Sequence, residues 1–270
     1  DAGAVGHGVG DVAREHGNHE REGGAFANGK QRPAQRAPVR VVILPHAGGS
    51  ASYFRNWSPV ADNLGVELCA VQYPGHEELF TAARASSLDE LAEALVTVIG
   101  DQAERTVLFG HSMGGLLAHR VTQFLVAEDN PPQALHVSAT RAPDQPVAAP
   151  RHILEDRALV SSIGEMSPGE ENPLEDEDLA AVLLDQVRSE MRLAETHRCE
   201  PTPLPLPITL HLATEDPDFT LADVSAWERF TTRGTHLITH PGHHFYLSTQ
   251  QATVLRAVME NLPTTSPSGK

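Results

Sequence analysis

Three groups of residues in this sequence could together break an acyl bond. They are Ser112 within Gly110-His111-Ser112-Met113-Gly114, the carboxylates of Thr214-Glu215-Asp216-Pro217-Asp218, and the histidines of Pro241-Gly242-His243-His244-Phe245. A serine hydroxyl is a weak nucleophile at neutral pH. It needs a base within hydrogen-bond reach, and the base needs an acid that fixes its tautomer. The G-x-S-x-G pattern alone is common, and a structural turn serine is the plainer account of it. Here, however, it lies between a short apolar run, Val107 to Phe109, and an amphipathic segment with Leu116, Leu117, Val121, Phe124 and Leu125 at helical spacing. Strand, sharp turn and helix would hold the hydroxyl on a strained tip. Glycines keep the flanks small, and the helix N-terminus favours developing negative charge. Two adjacent histidines and several carboxylates leave the base and the acid open at this point. Asp-Pro is also turn chemistry, so a solvated turn is the alternative for the acidic cluster.

Acyl transfer also needs donors for the oxyanion. The N–H of Met113, directly after the serine, is one candidate. The loop His46-Ala47-Gly48-Gly49, which follows an earlier apolar run, offers the second, with Ala47 as the donor. A tight turn at Gly48-Gly49 is the alternative there.

The elements that must position these groups alternate. Val39 to Leu44 reads as a strand buried on both faces. A helix carrying Phe54, Trp57, Val60, Ala61 and Leu64 follows, then a strand from Val66 to Val71. Ser87-Leu88-Asp89-Glu90 predicts a capping box for a helix with Leu88, Leu91, Leu95 and Val98 on one face. After the serine's strand and helix comes a strand from Ala134 to Ala139. From Thr140 to Pro207 strand signals vanish. Two helical stretches replace them, Leu154 to Gly164 and Leu179 to Thr196, the second with a stripe of Leu179, Val182, Leu183, Val187 and Met191. Strand Ile208 to Leu212, a helix near Leu221 to Phe230, strand Thr235 to Ile238 and a helix from Thr249 to Asn261 complete the pattern. Strand–helix alternation predicts an α/β fold with a mostly parallel central sheet flanked by helices. The helical insertion, about residues 144–205, is expected to form a lid over the carboxyl ends of the strands, where ligands bind in such sheets.

Composition narrows the function further. The 270 residues carry a net charge of −16, which argues against nonspecific nucleic-acid binding and against an anionic membrane surface. The 40% hydrophobic content is enough for a sizeable core. No apolar run is long enough to span a bilayer, and residues 1–37 contain no signal-peptide core, so a cytoplasmic protein is expected. The chain starts at Asp1 rather than Met. Of two cysteines, Cys69 lies in a strand-like run and is expected to be a buried structural thiol; neither suggests a disulfide or metal knuckle. Residues 1–37 read as a disordered leader and 264–270 as a flexible tail, leaving one domain over residues 38–263. Gly6, Gly8 and Gly10 lack the preceding strand that a phosphate loop needs. His16, His19 and Glu20 are better read as a solvated tail than as metal ligands.

The combined motifs resemble those of the type II (external, editing) thioesterases that accompany polyketide and nonribosomal peptide synthases, α/β-hydrolase-fold enzymes. The matching pieces are Leu44-Pro45-His46-Ala47-Gly48-Gly49-Ser50-Ala51 with Phe54 and Trp57, Val71-Gln72-Tyr73-Pro74-Gly75, Phe109 to Gly115, Arg141-Ala142-Pro143, and Gly242 to Leu247. The resemblance implies that His244 is the base, with His243 standing where the family has a second glycine. It puts the acid on Asp216, before Pro217, with Asp144 as a second choice because some related enzymes carry the acid after the earlier strand. Ala213 replaces the usual glycine of the acid turn, His76 replaces an arginine after Tyr-Pro-Gly, and the leader is longer than usual. The family implies hydrolysis of acyl thioesters from the phosphopantetheine arm of carrier proteins through an acyl-serine, with no metal or organic cofactor of the enzyme's own. A monomer is expected. Carrier proteins are acidic like this chain, so docking would need a local patch, for which Arg188, Arg192 and Arg198 are candidates. An esterase, lipase or transacylase acting on free small molecules would use the same residues, and a binding module would have lost them.

Overall fold

The apolar run before His46 forms the strand β1, Arg40–Leu44, because β-branched residues facing both ways need cover on both sides. The computed structural model describes residues 38–262. The readings on the leader, including Gly6, Gly8, Gly10, His16, His19 and Glu20, and on the tail lie outside the described residues. Five further strands join β1: β2 (Glu67–Ala70), β3 (Thr106–His111), β4 (Ala134–Ser138), β5 (Ile208–Ala213) and β6 (Thr235–His240). Their order is β2-β1-β3-β4-β5-β6, and every pairing is parallel. The chain runs outward from β1 to β2 and returns to the other side with β3. The carboxyl ends of β1 and β3 therefore flank the switch point at which such sheets open a crevice.

Helices cover both faces, as the alternation predicts. Val42, Leu44, Leu108, Leu135, Val137 and Leu210 pack against α2 (Leu88–Ile99) and α3 (Met113–Ala127). Val41, Ile43, Val107 and Phe109 point the other way, into the cluster holding Phe54, Trp57 and residues of α1 (Ser58–Leu64) and α7 (Gln251–Glu260). Between β4 and β5 lie α4 (Asp156–Gly164) and α5 (Glu177–Thr196), which share a small core of Leu159, Leu174, Leu184 and Val187. The short α6 (Leu221–Val224) precedes a 3₁₀ segment, Ser225–Phe230. Among the described residues no helix is long and apolar enough to cross a membrane.

Several details differ from the sequence reading. The helix after β1 begins as 3₁₀ turns over Ala51–Trp57, and α-helix starts only at Ser58. Pro59 lacks the N–H that would continue the α ladder upstream. In α2 the Glu90 N–H donates to Ser87 Oγ, but the Glu90 carboxylate reaches Ser86, so the box spans one more residue. Ile99, not Val98, completes its buried face. Cys69 is half-buried rather than buried, because β2 is an edge strand covered incompletely on both faces. The largest difference is in α5: Leu179 and Val182 are exposed, while Leu184, Gln186, Val187, Glu190 and Leu193 face inward. Two polar residues in the buried stripe turned the true face away from the apolar count.

Candidate active site

Ser112 sits on the sharp turn between β3 and α3 with φ 54° and ψ −117°, a left-handed conformation that a side chain adopts only under constraint. The constraint is visible. The Ser112 N–H donates to the Ser138 carbonyl of β4 at 2.8 Å. A Cβ on Gly110 would lie 2.0 Å from the Gly114 carbonyl oxygen, and one on Gly114 would lie 1.9 Å from that of Leu44. Strand, turn and helix are thus in backbone contact, and only glycine fits at both flanks.

Asp216 and His244 meet beside this turn. Asp216 Oδ2 accepts from His244 Nδ1 at 2.8 Å, and both side chains are buried. Asp216 Oδ1 accepts the N–H groups of Asp218 at 2.8 Å and Phe219 at 3.3 Å. The turn and the catalytic alternatives for this cluster therefore coincide: the turn's own hydrogen bonds aim the carboxylate at the histidine. Ala213 ends β5 in register with His240 and carries no positive φ, so the alanine needs no glycine there. The neighbouring acids are occupied elsewhere. Asp218 pairs with Arg151 at 2.8 Å and Asp144 with Arg229 at 2.8 Å. His243 Nδ1 donates to the Glu215 carbonyl at 3.1 Å, and its Nε2 lies 3.7 Å from the Glu215 carboxylate.

His244 Nε2 is buried and has no hydrogen-bond partner among the described residues. The ring of His111, the residue before Ser112, stands 5.1 Å from the ring of His244. The histidine loop is tied from two sides. His244 N–H donates to Met166 and Phe245 N–H to Ser167 Oγ, both in the insertion. On the sheet side Tyr246 Oη, Ser138 Oγ and His111 Nδ1 form a relay with 2.8 Å between successive atoms. Burial lowers His46 to about 3 and His111 well below the ordinary imidazole value; His244 adds to both shifts. Burial thus favours the neutral form of both rings, which stand edge-on to one another 5.8 Å apart.

Two N–H groups of the β1 loop are already committed. In the β1 loop the Gly49 N–H donates to His46 O at 2.9 Å and the Gly48 N–H to Glu190 Oε2 at 2.7 Å. Ala47 N–H makes no hydrogen bond among the described residues, and Met113 opens α3, where first-turn N–H groups lack helical partners. Of the docking candidates, Arg188 is spent inside the insertion, on the carbonyls of His152 and Leu154 and on Asp156. Arg198 donates to the carbonyls of Glu195 and His197, and Arg192 is exposed. The sequence reading missed Ser138, Tyr246 and Glu190. For Glu190 the available signal was a carboxylate one helical turn from Val187, inside the apolar stripe.

A parallel sheet, a strained serine at its switch point, and a buried acid–histidine pair beside it define a serine hydrolase of the α/β-hydrolase type. The chain belongs to the thioesterase family: residues 39–262 match its domain, described as "Thioesterase domain". It is 35% identical over 234 residues to thioesterase PikA5 of Streptomyces venezuelae, covering 85% of this chain and 83% of that protein. Among solved structures, RedJ, a thioesterase from the prodiginine pathway in Streptomyces coelicolor, superposes with a TM-score of 0.75 at 31% identity, over 85% of this chain and 91% of RedJ. The type II thioesterase BorB from the borrelidin biosynthetic cluster superposes at 0.74 and 34% identity, over 86% of this chain and 96% of BorB. The protein is an enzyme that hydrolyses acyl thioesters.

Proposed function

We propose that this thioesterase clears acyl groups from the phosphopantetheine arm of carrier-protein domains in a polyketide or nonribosomal peptide synthase, acting on stalled or aberrant chains. The single observation that carries the chemistry is the buried Asp216–His244 pair, 2.8 Å long, with Nε2 unpartnered beside the Ser112 turn. Ser112 Oγ attacks the thioester carbonyl as His244 Nε2 takes its proton, and Asp216 holds the tautomer and stabilises the imidazolium. The N–H groups of Ala47 and Met113 donate to the tetrahedral oxyanion; one such donor is worth about 2.7–4 kcal/mol of barrier. His244 returns the proton to the departing thiol. It then deprotonates a water that attacks the acyl-serine, and free acid and Ser112 are regenerated. The insertion acts as a lid that shapes the acyl chamber, and the enzyme needs no cofactor beyond the phosphopantetheine its substrate brings. It works as a cytoplasmic monomer. With a net charge of −16, docking to an acidic carrier depends on local cations, of which Arg192 and Arg198 are the remaining candidates.

The test is release of free acid from short acyl-phosphopantetheinyl carrier protein, with Ser112→Ala as control. Turnover lost in the variant is the expected result. No turnover by the wild type, with Ser112 still labelled by a fluorophosphonate, would instead indicate an esterase or transacylase. Neither turnover nor labelling would leave a binding module.

A further inference from the structure

Helix α5 of the insertion sits on the two loops that end β1 and β2, and it does so through a polar side chain. A Cβ on Gly48, φ 81°, would lie 2.7 Å from Val187 Cγ2, and one on Gly75, φ 96°, would lie 2.8 Å from Gln186 Nε2. Two glycines in left-handed turns thus let side chains of α5 rest directly on the loop backbone. One helical turn on, Glu190 reaches into the seat. Its Oε2 accepts the Gly48 N–H at 2.7 Å, and its Oε1 meets His76 Nε2 at 2.7 Å and Gln186 Nε2 at 3.2 Å. Glu190 and His76 are both buried, their side chains 8% and 6% exposed. A carboxylate is costly to bury and stays only where donors satisfy it. Here one of those donors is the residue after Ala47, in the loop assigned to the oxyanion.

We propose that Glu190 is a positioning residue for thioester hydrolysis: by holding the Gly48 N–H it fixes the β1 loop so that the Ala47 N–H faces the acyl oxygen only while α5 is seated. His76 completes the device. It anchors the second carboxylate oxygen to the β2 loop, whose Tyr73 hydroxyl in turn donates to the Pro45 carbonyl at 3.0 Å. A helix that moves to admit substrate therefore releases the loop, and its return reassembles the donor pair. An N–H displaced by an ångström loses much of its hold on the transition state while binding substrate almost as before.

The inference rests on the serine-hydrolase reading of Ser112, so Ser112→Ala belongs in the same assay, with a short acyl N-acetylcysteamine thioester that needs no carrier. Glu190→Ala, and Glu190→Asp, whose shorter arm cannot span both Gly48 and His76, are expected to lower kcat by about 10- to 100-fold with KM within about threefold. Glu190→Gln, which can still accept from Gly48 and donate to His76, should recover kcat to within about threefold. Ile99→Ala, in the core at the far end of α2 and away from the seat, should lower Tm and leave kcat. Wild-type kcat in the Ala and Asp variants would overturn the proposal. So would a Gln variant as slow as Ala, or Ile99→Ala as slow as Glu190→Ala. Turnover surviving Ser112→Ala would remove the site reading itself, a separate failure.

Discussion

His244 and His211 are both buried, and they differ in what stands at their ring nitrogens. His244 has a carboxylate at Nδ1 and an unpartnered Nε2. His211 has a histidine at each: His136 Nδ1 lies 2.9 Å from its Nε2, and His240 Nε2 lies 2.9 Å from its Nδ1. The three rings lie on β4, β5 and β6, with His211 against Phe109 and His240 stacked on Tyr246 at 4.7 Å. Burial lowers His136 to about 3, His211 well below the ordinary value, and His240 below it. Removing water expels charge from an imidazole. One fold thus contains a buried histidine held by a carboxylate and a ladder of buried histidines held by one another. Partner, not depth, separates them.

The largest way to sharpen that contrast is to take away the proton donor. Ser112→Ala should cut kcat by about 10⁶-fold in thioester hydrolysis while leaving the urea midpoint close to wild type. Unchanged kcat would place the chemistry elsewhere. The ladder should respond in the opposite sense. His211→Leu leaves a nitrogen of His136 and one of His240 without a partner, so it should cost about 1–3 kcal/mol in urea unfolding and change kcat little. A His211 variant as stable as wild type but inactive would erase the distinction. The smallest effect is in pH. A histidine whose folded pKa is lowered adds stability that is fully present above its unfolded value near 6.5 and is lost as pH falls through the window toward about 3. The urea midpoint of the wild type should fall across that window, and part of the fall should be absent in His211→Leu. Parallel curves for the two proteins would mean the ladder titrates as an unfolded chain does.

The contrast also marks what a sequence can disclose. The Ser112 turn was legible because its strand, glycines and helix are contiguous. The order serine, acid, histidine follows from one sheet topology. The strands' extents were read to within one or two residues, with β3 and β6 each running two residues beyond their apolar signal. Choosing Asp216 over Glu215, Asp218 and Asp144 depended on family resemblance, since each is a carboxylate on a plausible turn. In space, ion pairs with Arg151 and Arg229 set two of them aside. The histidine ladder was invisible, because three single histidines in separate strands become neighbours only through sheet register. Glu190 was hidden for a related reason: a buried polar residue lowers the apolar score of the face on which it acts.

The most direct test compares two acids. Asp216→Asn and Asp144→Asn should be assayed side by side for kcat on a short acyl thioester, with folding checked by urea unfolding. Asp216→Asn is expected to lose about 10⁴-fold, because an amide facing His244 Nδ1 stabilises the wrong tautomer, while Asp144→Asn should keep kcat near wild type. A folded Asp216→Asn enzyme with wild-type kcat, or the loss appearing in Asp144→Asn instead, would contradict the account.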